Sequence, residues 1–184
     1  MTLGEGKRKV YMLLDEYSSG GEITQDADIE NKMADFFDMA QKDLSRVCRI
    51  THTHTIERAE GQTEYDMPAD FVQLKNVWRD GKIYRGYQWK AGKIVIPLQE
   101  TATVELEYYA IPETVNGDTE DEHEFEIPDD AAQAMCYYVA AQQLLVDLVM
   151  DYSAPWAIWL QMKQELSQRA YGVPHRGIVN TLYR

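Results

Sequence analysis

The spacing of apolar residues changes twice along this chain of 184 residues, and these changes constrain its fold more than any motif does. In segments 3–17 and 26–47, apolar side chains recur at intervals of three and four positions, which indicates amphipathic helices. Between residues 50 and 110 the pattern alternates, which is typical of half-buried strands. The helical spacing returns over residues 127–171. We therefore predict two helices, a β-rich insertion and two further helices.

The predicted insertion consists of short antiparallel strands joined by close turns. Asp80-Gly81 is a strong hairpin signal, and Ala91-Gly92 joins a second pair of strands. Strands of this length and spacing suit a small sandwich or a curled sheet. The predicted strands cover residues 50–58, 63–67, 72–79, 82–85, 87–90, 93–97 and 103–110.

The predicted fold class is α+β. It is a four-helix bundle with an antiparallel β-sheet or sandwich inserted between helices 2 and 3, followed by an extended C-terminal arm. We divide the chain into helices 1 and 2 (1–49), the β-insertion (50–111), an acidic loop (112–126), helices 3 and 4 (127–171) and the C-terminal arm (172–184).

The charge of the chain argues against general binding to nucleic acids. The formal net charge is −13, whereas phosphate binding needs clustered lysine and arginine. Acidic residues concentrate between Glu113 and Asp130, where no basic residue occurs. This run lacks the spacing of a calcium-binding loop, so we interpret it as a solvated loop or as a surface facing a polyanion. Residues 169–184 are basic instead, with three arginines and no acidic residue.

A possible metal site is the pair His52 and His54 in the stretch T-H-T-H-T. Alternate residues of a strand share a face, so both imidazoles point to one side. A metal ion needs a third and usually a fourth ligand, and His123 and His175 lie in no metal-binding motif. We interpret the pair as part of an ordinary strand face. A metal-binding enzyme that uses His52 and His54 remains an alternative.

Sequence motifs for other chemistry are absent as well. The chain contains neither G-x-G-x-x-G nor G-x-x-x-x-G-K-[ST], and no serine lies in G-x-S-x-G. We therefore predict no catalytic residues, no cofactor and no bound metal ion.

Three stretches, in this order, resemble tailed-phage head-to-tail adaptor (connector) proteins. They are Y-D-M-P-A-D-F-V-Q-L-K-N-V-W-R-D-G-K-I-Y (65–84), V-E-L-E-Y-Y-A-I-P-E-T-V (104–115) and E-I-P-D-D-A-A-Q-A-M-C-Y-Y-V-A-A-Q-Q-L-L (126–145). A tail that contains Y-G and ends in arginine is similar to that of the podovirus-type gatekeeper adaptors.

This resemblance implies a structural protein of the virion neck, assembled in the cytoplasm of the bacterial host. Such adaptors form a homo-oligomeric ring, typically twelve-fold, beneath the portal protein. The ring extends the DNA channel and provides the platform for tail, nozzle or tail-completion proteins. Genomic DNA is then expected to pass through without specific binding, which suits an acidic chain. The alternative within the virion is another neck or tail-completion protein.

The C-terminal arm is predicted to dock on a partner. It is basic, has apolar residues and lacks a helical period, so it is expected to become ordered on another surface. The resemblance implies that this surface is the portal. The candidate docking residues are Gly172, Val173, Pro174, Arg176, Ile178, Val179, Leu182, Tyr183 and Arg184.

Aromatic residues of helices 3 and 4 are candidates for the interface between subunits. A ring requires two different surfaces on each protomer, and half-buried tyrosine and tryptophan suit such contacts. The candidates are Tyr137, Tyr138, Trp156 and Trp159. The alternative is that these side chains belong to the core of the bundle.

Overall fold

The computed structural model describes residues 1–17, 27–57, 61–97, 103–146 and 151–171. Within these ranges the chain forms four helices and seven strands, and every strand lies between the second and third helices in the sequence. The predicted fold class is confirmed: the fold is α+β, with antiparallel sheets inserted into a set of four helices. No helix in the described ranges has the combination of length and hydrophobicity needed to cross a membrane.

The four helices follow the segments in which apolar residues recur with helical spacing. Ten side chains of the third helix are buried, because this helix packs against each of the other three. It is therefore the central helix of the bundle. The bounds are α1 Leu3–Tyr17, α2 Ala27–Cys48, α3 Asp129–Val146 and α4 Ser153–Tyr171.

A reciprocal pair of hydrogen bonds starts α1. The backbone N–H of Glu5 donates to Oγ1 of Thr2 (3.2 Å), and the backbone N–H of Thr2 donates to Oε2 of Glu5 (3.0 Å). This is a capping box, which satisfies two backbone donors that the helix itself leaves without a partner. Thr2 therefore caps the N-terminus of α1.

A side-chain carboxylate satisfies a backbone donor at the start of α4. The first helical hydrogen bond runs from the N–H of Trp156 to the carbonyl of Tyr152 (3.1 Å). The N–H of Ser153 donates to Oδ1 of Asp151 (2.9 Å), so a carboxylate two residues earlier satisfies this backbone donor. Both Ser153 and Asp151 are good capping residues, and the local backbone determines which one acts.

Aromatic packing holds α1 close to α2. The rings of Phe37 and Phe125 lie 5.2 Å apart between centroids, and Phe37 is fully buried. Gly6 of α1 lies over this pair, because a Cβ atom there would be only 2.9 Å from Cζ of Phe37. The absence of a side chain at residue 6 therefore permits this close approach.

The strands form two sheets, and both belong to the antiparallel insertion that the sequence predicted between helices 2 and 3. The four-stranded sheet has the order β1-β7-β3-β4, and the three-stranded sheet has the order β2-β6-β5. All pairings are antiparallel. The bounds are β1 Thr51–Ile56, β2 Glu64–Asp66, β3 Phe71–Arg79, β4 Lys82–Ile83, β5 Gln88–Lys90, β6 Lys93–Val95 and β7 Val104–Ala110.

The last strand, β7, organises the four-stranded sheet. It pairs with β1 on one side and with β3 on the other. Its side chains alternate strictly between buried and half-buried, as its sequence alternation predicts. The buried members Val104, Leu106, Tyr108 and Ala110 belong to the same apolar core as Ile94 and Ile96.

Two hairpin turns adopt backbone angles that favour glycine. Asp80 and Gly81 have φ angles of 48° and 75°, and Ala91 and Gly92 have φ angles of 49° and 80°. Positive φ at both central residues is characteristic of type I′ turns, which match the twist of the strands they join. The hairpin signal at Asp80-Gly81 is thereby confirmed.

Candidate functional site

The two histidines of T-H-T-H-T occupy different environments on β1. Nδ1 of His52 lies 2.7 Å from Oδ2 of Asp70, whereas the side chain of His54 is exposed. Among the described residues, no group of three or more histidine, cysteine, aspartate or glutamate side chains is arranged to hold a metal ion. Nothing in this part of the chain therefore supports the alternative of a metal-binding enzyme that uses His52 and His54.

Asp70 joins two strands to the turn that precedes β3. Besides His52 of β1, it contacts Tyr108 of β7, whose hydroxyl donates to both carboxylate oxygens at 3.0 and 3.1 Å. The turn itself closes by a hydrogen bond from the N–H of Phe71 to the carbonyl of Pro68 (3.1 Å). The carbonyl of Asp70 also accepts from the N–H of Ile111 (2.8 Å). The P-A-D-F stretch is thus a structural junction in the insertion.

The same contacts change the acidity of two side chains. Partial burial raises the pKa of the Asp70 carboxyl, but the hydrogen bonds from His52 and Tyr108 outweigh it and leave the pKa lowered. Burial and the hydrogen bond to Asp70 raise the pKa of Tyr108 to about 12. Asp70 is therefore held ionised and Tyr108 protonated at neutral pH, which is the pairing that this geometry requires.

We expect the Asp70 junction to make stability depend on pH. Because folding lowers the pKa of this carboxyl, its contribution is fully present above the ordinary aspartate pKa of about 4 and is lost as the pH falls through the lower folded value. At pH 7, Asp70→Asn should lower the free energy of unfolding by about 1–2 kcal/mol. Urea unfolding between pH 3 and 7 should show this difference shrinking below about pH 4.

The matched control is Glu57→Gln, which neutralises an exposed carboxylate just after β1. It should leave the free energy of unfolding within about 0.5 kcal/mol of the original chain at every pH. A difference between Asp70→Asn and the original chain that stayed constant from pH 7 to pH 3 would contradict the role assigned to the ionised carboxylate.

A second polar cluster surrounds Glu107 of β7. Its carboxylate accepts hydrogen bonds from Nζ of Lys75 (2.6 Å), Nδ2 of Asn76 (2.7 Å) and Nε1 of Trp78 (3.2 Å). Hydrogen bonds from Asn76 and Lys75 lower the pKa of Glu107. Three donors from β3 on one carboxylate of β7 keep the two central strands of this sheet in register.

The four candidate interface aromatics divide by burial. Trp159 is only 2% exposed, and its ring lies 5.2 Å from that of Tyr138. Tyr137, Tyr138 and Trp156 are half-buried. Trp159 is therefore a core residue of the bundle. Tyr137, Tyr138 and Trp156 keep part of their side-chain surface exposed and available to a partner.

The acidic segment before α3 forms backbone hydrogen bonds to the helical unit, while most of its carboxylates are exposed to solvent. Backbone N–H groups of Leu3 and Gly4 donate to the carbonyls of His123 (2.8 Å) and Asp121 (2.9 Å). These bonds satisfy donors at the start of α1, and the carboxylate of Asp121 also pairs with Lys7 (2.8 Å). Acid beside a helix N-terminus is electrostatically favourable. The acidity of this segment therefore has a local structural role.

Two side chains of α2 hold the same segment from the other side. Oδ1 of Asp38 accepts from the N–H of Val115 (3.1 Å), and Oε1 of the fully buried Gln41 accepts from the N–H of Glu126 (3.2 Å). A buried polar side chain normally requires such a partner. The segment is thus an ordered part of the helical unit.

Charge is unevenly divided between two compact units of the chain. The helical unit comprises Met1–Cys48 and Val115–Arg184, and the β unit comprises Arg49–Thr114. The helical unit has 10 basic and 21 acidic residues, a net charge of −11, whereas the β unit has 8 and 10, a net charge of −2. Most of the net negative charge therefore belongs to the helical unit.

The C-terminal arm, residues 172–184, lies outside the described residues. The arginine that precedes it, Arg169, belongs to α4 and forms an ion pair with Asp130 at the start of α3 (2.6 Å). Arg169 is therefore paired within the helical bundle, whereas the other two arginines of the basic C-terminal stretch, Arg176 and Arg184, belong to the arm.

Comparison with known proteins supplies the family. The family model described as SU10 adaptor protein matches residues 1–176, which is nearly the whole chain. The match includes both units and the first residues of the arm, and it leaves the last eight residues outside. No curated protein matches the chain.

Proposed function

Because the chain belongs to the SU10 adaptor protein family, we propose that it assembles into a ring beneath the portal of a tailed phage and there provides the platform for the tail. The family is one of phage head-to-tail adaptors, which are structural proteins and not enzymes. The observation that carries the proposal is the family match over residues 1–176.

The ring that we propose is twelve-fold and extends the DNA channel. It lies in the virion neck, after assembly in the host cytoplasm. The helical unit, with its net charge of −11, supports passage of DNA without specific binding, because an acidic surface repels phosphate. The proposed partners are the portal protein and the tail, nozzle or tail-completion proteins.

Contacts between neighbouring subunits in the proposed ring involve α3 and α4. Val146 at the end of α3 (50%), Tyr152 just before α4 (41%) and Leu160 of α4 (49%) are exposed apolar side chains that the described chain does not cover. Together with the half-buried Tyr137, Tyr138 and Trp156, they provide apolar surface suited to burial against another subunit.

Electron microscopy of the purified chain with the portal protein of the same virus tests this function. We expect rings, or portal particles carrying an added ring, when the two proteins are mixed. The matched control is the portal alone. A chain that leaves the portal undecorated, but caps the end of an isolated tail, would identify a tail-completion protein and overturn the proposal.

A further inference from the structure

The outer edge of the larger sheet presents two cations and an apolar side chain. β4 is the last strand in the order β1-β7-β3-β4, so one side of it is unpaired. Lys82 and Arg85 are exposed and form no ion pair with any described residue, and Ile83 between them is 56% exposed. We call Lys82, Ile83 and Arg85 the basic edge.

The backbone that carries the basic edge is held in place. Tyr84 lies between Ile83 and Arg85, and its N–H donates to the carbonyl of Val77 (2.8 Å). Its ring packs against the core of the β unit, and its hydroxyl donates to the carbonyl of Gly86 (2.7 Å). Binding a partner therefore has to order the side chains of the basic edge but not its backbone.

The helical unit has a surface of opposite charge. Within residues 118–124, four carboxylates are exposed and form no ion pair with any described residue: Asp118, Glu120, Glu122 and Glu124. We call this segment the acidic turn. It is also ordered, because the N–H of Thr119 donates to the carbonyl of Asn116 (3.0 Å) and that of His123 to the carbonyl of Glu120 (3.0 Å).

We propose that the basic edge of one copy binds the acidic turn of the next copy in the ring. The inference rests on the ring proposed above, and it names the two surfaces that meet. A head-to-tail ring needs two different and complementary surfaces on every protomer, and these two have opposite charge. Burial of the exposed Ile83 adds an apolar contact to the charged ones. That apolar side chain favours a protein partner over a DNA backbone.

Charge reversal on each surface tests the proposal by electron microscopy and mass photometry of the chain with its portal. We expect Lys82→Glu/Arg85→Glu to reduce ring formation at least about tenfold, because acid then faces acid. Replacing all four carboxylates of the acidic turn with lysine, in Asp118→Lys/Glu120→Lys/Glu122→Lys/Glu124→Lys, should do the same, because a basic turn then faces the basic edge. An equal mixture of the two variants should restore rings, because alternating copies make every contact complementary and a twelve-fold ring has an even number of subunits.

The control Arg8→Glu/Lys9→Glu makes the same charge change on exposed residues of α1 and should leave ring formation unchanged. Normal rings from either charge-reversed variant alone, or no rings from their mixture, would overturn the pairing. Normal rings from Lys82→Glu/Arg85→Glu with lost binding to duplex DNA would instead assign the basic edge to DNA. If the original chain forms no ring with the portal, the proposed function itself fails.

Discussion

Replacing Trp159 with alanine is expected to lower the free energy of unfolding by about 3–5 kcal/mol. The indole is 2% exposed, packs 5.2 Å from the ring of Tyr138, and lies beneath Nζ of Lys163 at 5.7 Å. Lys163 also forms an ion pair with Asp43 of α2. Loss of the indole would leave a cavity where α4 meets its neighbours. Urea unfolding followed by far-ultraviolet circular dichroism measures the effect on the helices.

Two neighbouring substitutions separate core packing from surface contact. Leu160→Ala, next to Trp159 but 49% exposed, should change the free energy of unfolding by less than about 0.5 kcal/mol. Trp156→Ala removes a half-buried side chain, so its effect on the free energy of unfolding should lie between those of Leu160→Ala and Trp159→Ala. It should also weaken ring formation. A Trp159→Ala protein that keeps its stability but no longer forms rings would place Trp159 at the subunit interface and contradict its role in the core.

Removing residues 172–184 is expected to abolish stable attachment to the portal. This arm contains Arg176 and Arg184, several apolar residues and no acid, so it can offer both charge and apolar area to a partner surface. We expect at least about a tenfold loss in affinity, which corresponds to about 1.4 kcal/mol. Binding to immobilised portal measures it, with the full chain as reference.

The melting temperature is the companion measurement for the deletion. α4 ends at Tyr171, and its buried residues Trp159 and Leu166 precede the cut. The truncated chain should therefore melt within about 2 °C of the full chain, since the deletion removes none of the buried residues of α4. The variant Arg176→Ala/Arg184→Ala isolates the contribution of charge. Unchanged portal binding after the deletion would show that docking uses another surface.

Local spacing was enough to predict the helices and most of the strands. Apolar residues at intervals of three and four indicate a helix wherever one of its faces is buried, and the bounds of α1 agree with the prediction at both ends. The alternation in β7 likewise predicted which of its side chains are buried. These are properties of consecutive residues, so a single sequence contains them.

Contacts between distant residues could not be predicted in the same way. Asp70 contacts His52, 18 residues earlier, and Tyr108, 38 residues later. In the sequence, P-A-D-F and E-Y-Y-A are separate stretches, and nothing in either indicates that they meet. Their adjacency depends on strand register, which is a property of the folded sheet. The one indication in the sequence that these stretches matter was that both lie in segments that resemble phage adaptors.

The sequence by itself determined the order of elements, the α+β class, the concentration of acid in one segment and the resemblance to a family that the match over residues 1–176 confirms. Only the tertiary structure decided that the strands divide into two sheets, that Trp159 lies in the core, and that the acidic segment binds the start of α1. The physical reason is the range of the interactions. Helical and strand periods arise from neighbours along the chain, whereas burial, hydrogen-bond partners and free charges depend on residues that folding brings together.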